Sequence, residues 1–113
     1  MGKHKIYYTL EAQRDLDGIW DYIASDLQNI AAAERMVTRI MDDVELLANH
    51  VEMGTPLSAI ADVAVDYRFL VTGSYLTFYR VSGSEVYVDR VLYGRRDYLR
   101  VLFGDVQKEE PGE

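Results

Sequence analysis

The spacing of apolar residues changes once along the chain, near Gly54, Thr55 and Pro56, and this change limits the fold more than any other feature. Before it, apolar residues recur every three to four positions, the period of one helical face. Ala12, Leu16, Ile19, Trp20 and Ile23 form one stripe, with Arg14, Asp15, Asp17 and Asp21 between them. This predicts a helix of about four turns beginning at Leu10, with Thr9 as its N-cap. Polar turn formers at 25–29 stop it, and Asp26 or Asn29 can cap a second helix. The second stripe, Ile30, Ala33, Val37, Ile40, Met41, Val44, Leu47 and Ala48, predicts about five turns. Two such helices joined by a short loop form an antiparallel hairpin, which must bury its apolar side against another layer.

After Pro56 the pattern becomes that of strands. A weakly patterned connection over 57–65 leads to three segments rich in Val, Tyr and Phe, at 67–71, 75–81 and 86–93. Thr72, Gly73, Ser74 and then Ser82, Gly83, Ser84 separate them, which predicts three-residue hairpin loops centred on glycine. In the last strand, alternation groups Val86, Val88, Arg90 and Leu92 on one face and Tyr87, Asp89, Val91 and Tyr93 on the other. Residues 5–8 predict a short leading strand. Residues 97–103 predict a terminal helical turn that returns Leu99, Leu102 and Phe103 to the core. The expected fold is α+β in the order β-α-α-β-β-β-α: an N-terminal strand, an antiparallel helical hairpin packed on an antiparallel sheet, a three-stranded C-terminal meander and a short terminal helix. One domain is expected over 1–113, with a frayed acidic tail over 105–113.

Charge is unevenly placed on this frame. The chain carries 12 Lys and Arg against 19 Asp and Glu, a net charge of -7. Residues 11–52 hold ten acids against Arg14, Arg35 and Arg39, which accounts for the whole excess. Residues 90–100 hold Arg90, Arg95, Arg96 and Arg100 against Asp97 alone, and these arginines repel one another unless a partner or counter-charge engages them. The acidic total argues against a surface built broadly for nucleic acid, whose affinity comes from neutralised phosphates.

Much familiar chemistry is missing. There is no cysteine, and the two histidines, His4 and His50, lie far apart, so no disulfide, thiolate nucleophile, metal site or cofactor is expected. No glycine-rich phosphate loop, H-E-x-x-H helix, nucleophile elbow or calcium loop occurs. With no signal-like leader and no apolar run near the ~20 residues of a membrane span, a soluble cytoplasmic protein is expected. Six of the nine tyrosines, at 67, 75, 79, 87, 93 and 98, share the second half with the arginines; tyrosine at strand positions is mostly a packing choice, although exposed Tyr with Arg also makes a protein or RNA contact surface.

Three segments are more specific. They are Ile19, Trp20, Asp21, Tyr22 and Ile23 in the first helix, the run from Tyr75 through Leu76, Thr77, Phe78, Tyr79 and Arg80 to Val81, and Arg90, Val91, Leu92, Tyr93, Gly94, Arg95, Arg96 and Asp97. In this order and spacing, the chain from about Ile6 to Gly104 resembles the RelE/ParE superfamily of type II toxin–antitoxin toxins, closer to its ParE-like branch. The resemblance implies a bacterial toxin of a plasmid-stabilisation or addiction module, held inactive by a cognate antitoxin that wraps over the hairpin and sheet. Assembly as a homodimer or as a toxin–antitoxin hetero-oligomer is compatible with it.

ParE-like members bind and poison DNA gyrase, so the resemblance implies no catalytic residue. It points to a target surface of Arg68, Tyr79, Arg80, Arg90, Arg95, Arg96, Tyr98 and Arg100. The antitoxin is expected in a groove of Leu16, Ile19, Trp20, Ile23, Val37 and Ile40, as a helix in a groove or a strand on an edge. RelE-like members instead cleave mRNA on the ribosome, and Arg68, Arg96 and Tyr98 would then be the catalytic set. Against that alternative, Leu76 stands where the ribonucleases carry an arginine, and Leu102 stands at or near the position of their C-terminal tyrosine. Losing an oriented cation and an acid–base group costs orders of magnitude each. A degenerate, non-catalytic interaction module is the third reading.

Overall fold

The computed structural model describes residues 3–61, 66–94 and 98–103. Strand β1 (Lys5–Tyr8) leads into α1 (Leu10–Asp21). Thr9 is extended and its hydroxyl oxygen accepts from the Ala12 N–H, so the helix starts where its cap chemistry requires. α1 widens into a π-helical turn, Tyr22–Asp26. Gln28 then takes a left-handed φ of 54°, and Asn29 caps α2 (Ile30–Glu45) by accepting from Ala32 N–H at 2.9 Å. A 3-10 turn, Leu46–Ala48, ends the hairpin.

The sheet follows: β2 (Thr55–Pro56), β3 (Arg68–Thr72), β4 (Tyr75–Ser82) and β5 (Glu85–Tyr93), before α3 (Tyr98–Phe103). The five strands lie in the order β1-β5-β4-β3-β2. The fold is α+β in the expected order, with two refinements. β1 pairs parallel with β5, so the sheet is mixed, and a two-residue β2 closes its far edge against β3. A parallel pair needs a long connection, and here it runs through the helical hairpin and then β2, β3 and β4 before the chain returns as β5 beside β1. Both hairpin loops hold two residues rather than the expected three, because Thr72 pairs directly with Tyr75 and Ser82 with Glu85. Gly73 (φ 59°) and Gly83 (φ 60°) take the first loop position, the glycine placement of a II′ turn.

A β-bulge interrupts the β4–β5 ladder: Phe78 pairs with Arg90 but Tyr79 pairs with Val88, which leaves Asp89 as the extra residue. The simple alternation read from the sequence therefore holds only up to Val88. Beyond the bulge Val91 joins Val86 and Val88 on the helix side, while Leu92 packs on the opposite face.

Two clusters hold the layers together. Ala12, Leu16, Ile19, Ile23, Ala33, Ile40, Val44 and Leu47 meet Leu70, Tyr79, Val86, Val88 and Val91 between hairpin and sheet. Each fully buried Val, Leu or Ile there contributes about 1.5–3 kcal/mol. On the other face Leu57, Phe69, Phe78 and Leu92 are covered by Tyr67 and by Tyr98, Val101, Leu102 and Phe103 of α3. The terminal helix thus closes a second, smaller core instead of returning to the first. The acidic segment 105–113 lies outside the described residues.

Candidate binding surfaces

Arg68, Tyr79 and Arg80 line one cleft, and Arg90 lies apart from them. Tyr79 is fully buried. Its hydroxyl donates to the Val51 carbonyl at 2.8 Å and accepts from the Gly54 N–H at 3.0 Å, and burial pushes its pKa up. It ties β4 to the chain entering β2. Arg68 donates from Nη1 to the carbonyls of Gly54 (2.7 Å) and Glu52 (3.4 Å) in the same stretch.

Arg90 sits at the opposite side of the sheet. Its Nε and Nη2 donate to Asp15 on α1 at 2.7 and 2.9 Å, and this bond raises the guanidinium pKa further. Tyr79 and Arg90, both expected on the target surface, thus each hold a strand to the chain packed beside it.

Arg80 is placed differently. Its Nε donates to Asp89 at 2.9 Å with 46% of its side chain exposed. Asp89 also accepts from the Tyr67 hydroxyl at 2.7 Å. Burial, and then this hydrogen bond, push the Tyr67 pKa up to about 12. Arg68, Arg80 and Tyr67 share the wall of a cleft of about 330 Å³ with Glu52, Ser58 and Asp66. Its charges are balanced, two arginines against two acids. Tyr98 lies elsewhere, with its ring 5.5 Å from that of Phe78 in the smaller core. Arg100 is exposed on α3; Arg95 and Arg96 lie outside the described residues.

The expected antitoxin groove is mostly core. Leu16, Ile19 and Ile23 are buried and Ile40 is fully so, while Trp20 and Val37 are half-buried against them. The helical stripe marks what the sheet covers. An open cleft of about 580 Å³ lies instead between α1 and the C-terminal end of β5, lined by Arg14, Asp15, Gly18, Ile19, Tyr22, Tyr75, Val91, Leu92 and Tyr93. Of the predicted groove, only Ile19 reaches it. The rings of Tyr75 and Tyr93 meet edge to face, 5.8 Å apart, and Tyr22, Leu27 and Ile30 at the hairpin turn are each at least half exposed. Sequence reading placed Tyr75 and Tyr93 near the arginines but gave no sign of this cleft, which depends on strand ends meeting a helix.

Among the described residues no group of three or more His, Asp or Glu is placed to hold a metal ion. No described helix is long and apolar enough to cross a membrane.

This α+β arrangement is that of proteins from toxin–antitoxin systems. It superposes on a chain of the chromosomal ParDE TA system from P. aeruginosa with a TM-score of 0.67 and 23% identity, covering 82% of this chain and 98% of that one. It superposes on the RelBE2 toxin–antitoxin complex from Mycobacterium tuberculosis with a TM-score of 0.50 and 18% identity, covering 80% and 98%. By sequence alone, no curated protein matches. The family described as the ParE toxin of the type II toxin–antitoxin system, parDE, matches residues 6–98, and the chain belongs to that family.

Proposed function

We propose that this ParE-family toxin arrests growth by binding DNA gyrase, and that a cognate antitoxin neutralises it within a plasmid-stabilisation or addiction module. The observation that carries the binding reading is the disposition of the arginines. Arg68, Arg80 and Arg90 are engaged by carbonyls, Asp89 and Asp15 respectively, and Tyr98 packs against Phe78. A ribonuclease needs a base, a phosphate-binding cation and an acid within reach of one scissile bond. Arg68 and Arg80 share one cleft but each is already partnered, while Arg90 and Tyr98 lie away from it, and this arrangement suits a protein that works by contact.

The antitoxin takes the cleft beside Tyr22, Tyr75 and Tyr93. Its segment supplies apolar side chains for the tyrosines and basic ones for the surrounding hairpin, whose sequence segment is strongly acidic.

One induction experiment separates the readings. Expression of the protein is expected to produce linearised plasmid and DNA-damage signalling, with purified gyrase losing supercoiling activity as toxin is added. Cutting of mRNA at ribosomes with DNA left intact would instead establish the ribonuclease. Growth unaffected by strong induction would remove the toxin function itself.

A further inference from the structure

α3 covers only part of the sheet's outer face. Beside it, a row of side chains crosses three strands. Tyr7 in β1 pairs across from Tyr87 in β5, and Tyr87 pairs across from Arg80 in β4. The tyrosine rings stack with centroids 5.5 Å apart and planes 22° apart. The Arg80 guanidinium carbon lies 4.6 Å from the Tyr87 ring centre. Asp89 holds Arg80 from one side, and the Tyr87 hydroxyl donates to Glu85. Even so, Tyr7 keeps 41% of its surface exposed.

These groups are ordered before any partner arrives. Stacking, cation–π contact and ion pairing have already removed rotamer freedom that docking would otherwise cost. Tyrosine and arginine are also the residues that dominate binding energy at protein interfaces.

Charge decides the kind of partner. Lys5 shares a face of β1 with Tyr7, so the row carries Lys5 and Arg80 against Glu85 and Asp89. That leaves no surplus of positive charge for phosphates, the source of nucleic-acid affinity. The hairpin segment, by contrast, holds the whole acidic excess of the chain. A protein surface bearing carboxylates is repelled there but not by this balanced row, where a single carboxylate can reach the half-exposed guanidinium of Arg80.

We propose that Tyr7, Tyr87 and Arg80 form the face on which this toxin docks its protein target, with an apolar side chain of the target on the tyrosine stack and a carboxylate on Arg80. The assignment rests on the gyrase reading, and it separates the target face from the antitoxin cleft.

The test titrates wild-type and variant protein into a supercoiling assay with purified DNA gyrase. Tyr7→Ala and Tyr87→Ala are each expected to raise the half-inhibitory concentration about 10- to 100-fold. Tyr7→Phe keeps the stack and is expected to stay close to wild type, as is Met41→Ala on α2. Thermal melts confirm that each variant folds, and Tyr7, exposed on an edge strand, keeps the test valid if Tyr87→Ala is unstable. Wild-type inhibition that Tyr7→Ala leaves unchanged overturns this face while the gyrase reading stands. A wild-type protein inert toward gyrase overturns both. If Tyr7→Ala still inhibits gyrase but loses binding to a single-stranded RNA oligomer, the row serves nucleic acid and the proposal also fails.

Discussion

Arg90 and Asp15, 75 residues apart in sequence, are joined by a two-point ion pair that finishes the edge of the sheet where β1 stops. The last residue of β1, Tyr8, pairs with Val88. Beyond it, the Thr9 N–H donates to the Val88 carbonyl, the Thr9 hydroxyl to the Asp89 carbonyl, and the Val91 N–H to the Asp15 carboxylate. The first turns of α1 thus take over the hydrogen bonding of a missing strand.

That carboxylate therefore does two jobs, and its side chain is only 12% exposed. Arg90→Ala strands it without its cation and is expected to cost about 2–3 kcal/mol. Asp15→Ala leaves the Val91 N–H and the guanidinium short of an acceptor, at a similar cost. In a urea-denaturation double-mutant cycle the pair should couple strongly, with Arg90→Ala nearly silent once Asp15 is gone. Additive losses would mean that the two side chains act independently.

Gly54 is required by close approach rather than by backbone conformation. A Cβ there would lie 2.6 Å from the Tyr79 hydroxyl oxygen and 2.9 Å from the Phe69 carbonyl, inside any tolerable contact. Gly54→Ala is expected to be among the most damaging single substitutions, displacing the Tyr79 hydroxyl from both its partners. Tyr79→Phe removes only the hydroxyl and should cost less, about 1–3 kcal/mol, by leaving the buried Gly54 N–H without its acceptor. Denaturation midpoints of the two variants check the order.

The helices and their caps were readable because their chemistry is local: Thr9 and Asn29 sit three residues before the N–H groups they satisfy. The turns were readable from Gly73 and Gly83 for the same reason. What escaped was non-local. Nothing near Asp89 announces a bulge, since its position is fixed by Arg80 and Tyr67 on neighbouring chain segments. Nothing in residues 5–8 indicates parallel pairing with β5, so the Tyr7–Tyr87 stack could not be foreseen. The burial of most of the expected groove has a further cause. An amphipathic stripe looks the same whether a sheet or a partner protein covers it, and Leu16, Ile23 and Ile40 face the sheet.

Alkaline pH should loosen the fold through tyrosine. Tyr67 holds its proton to about 12, from burial and its bond to Asp89, and Tyr8 does so to about 12 from burial and the nearby Glu45 carboxylate. In the unfolded chain both titrate near 10. Their contribution is therefore complete below about pH 10 and disappears as pH rises toward 12, because there the unfolded chain has released protons that the folded one retains. Urea midpoints should fall over that interval, and less steeply in Tyr67→Phe. An identical slope in that variant would place the alkaline sensitivity elsewhere.

Thr77 offers a substitution that should strengthen the protein. It lies in the middle of β4, 1% exposed, and among the described residues its hydroxyl oxygen has no hydrogen-bond partner. Its neighbours across the ladder are Leu70 and Val91, both buried in the larger core. A buried hydroxyl without a partner carries its desolvation penalty unrelieved, whereas a methyl group in the same volume carries none. Valine has the shape of threonine and a strong preference for strands. Thr77→Val is expected to raise stability by about 1 kcal/mol and to leave activity alone, since the residue lines neither cleft. A loss of stability in the denaturation curve would show that the hydroxyl does find a partner, such as a buried water, in solution.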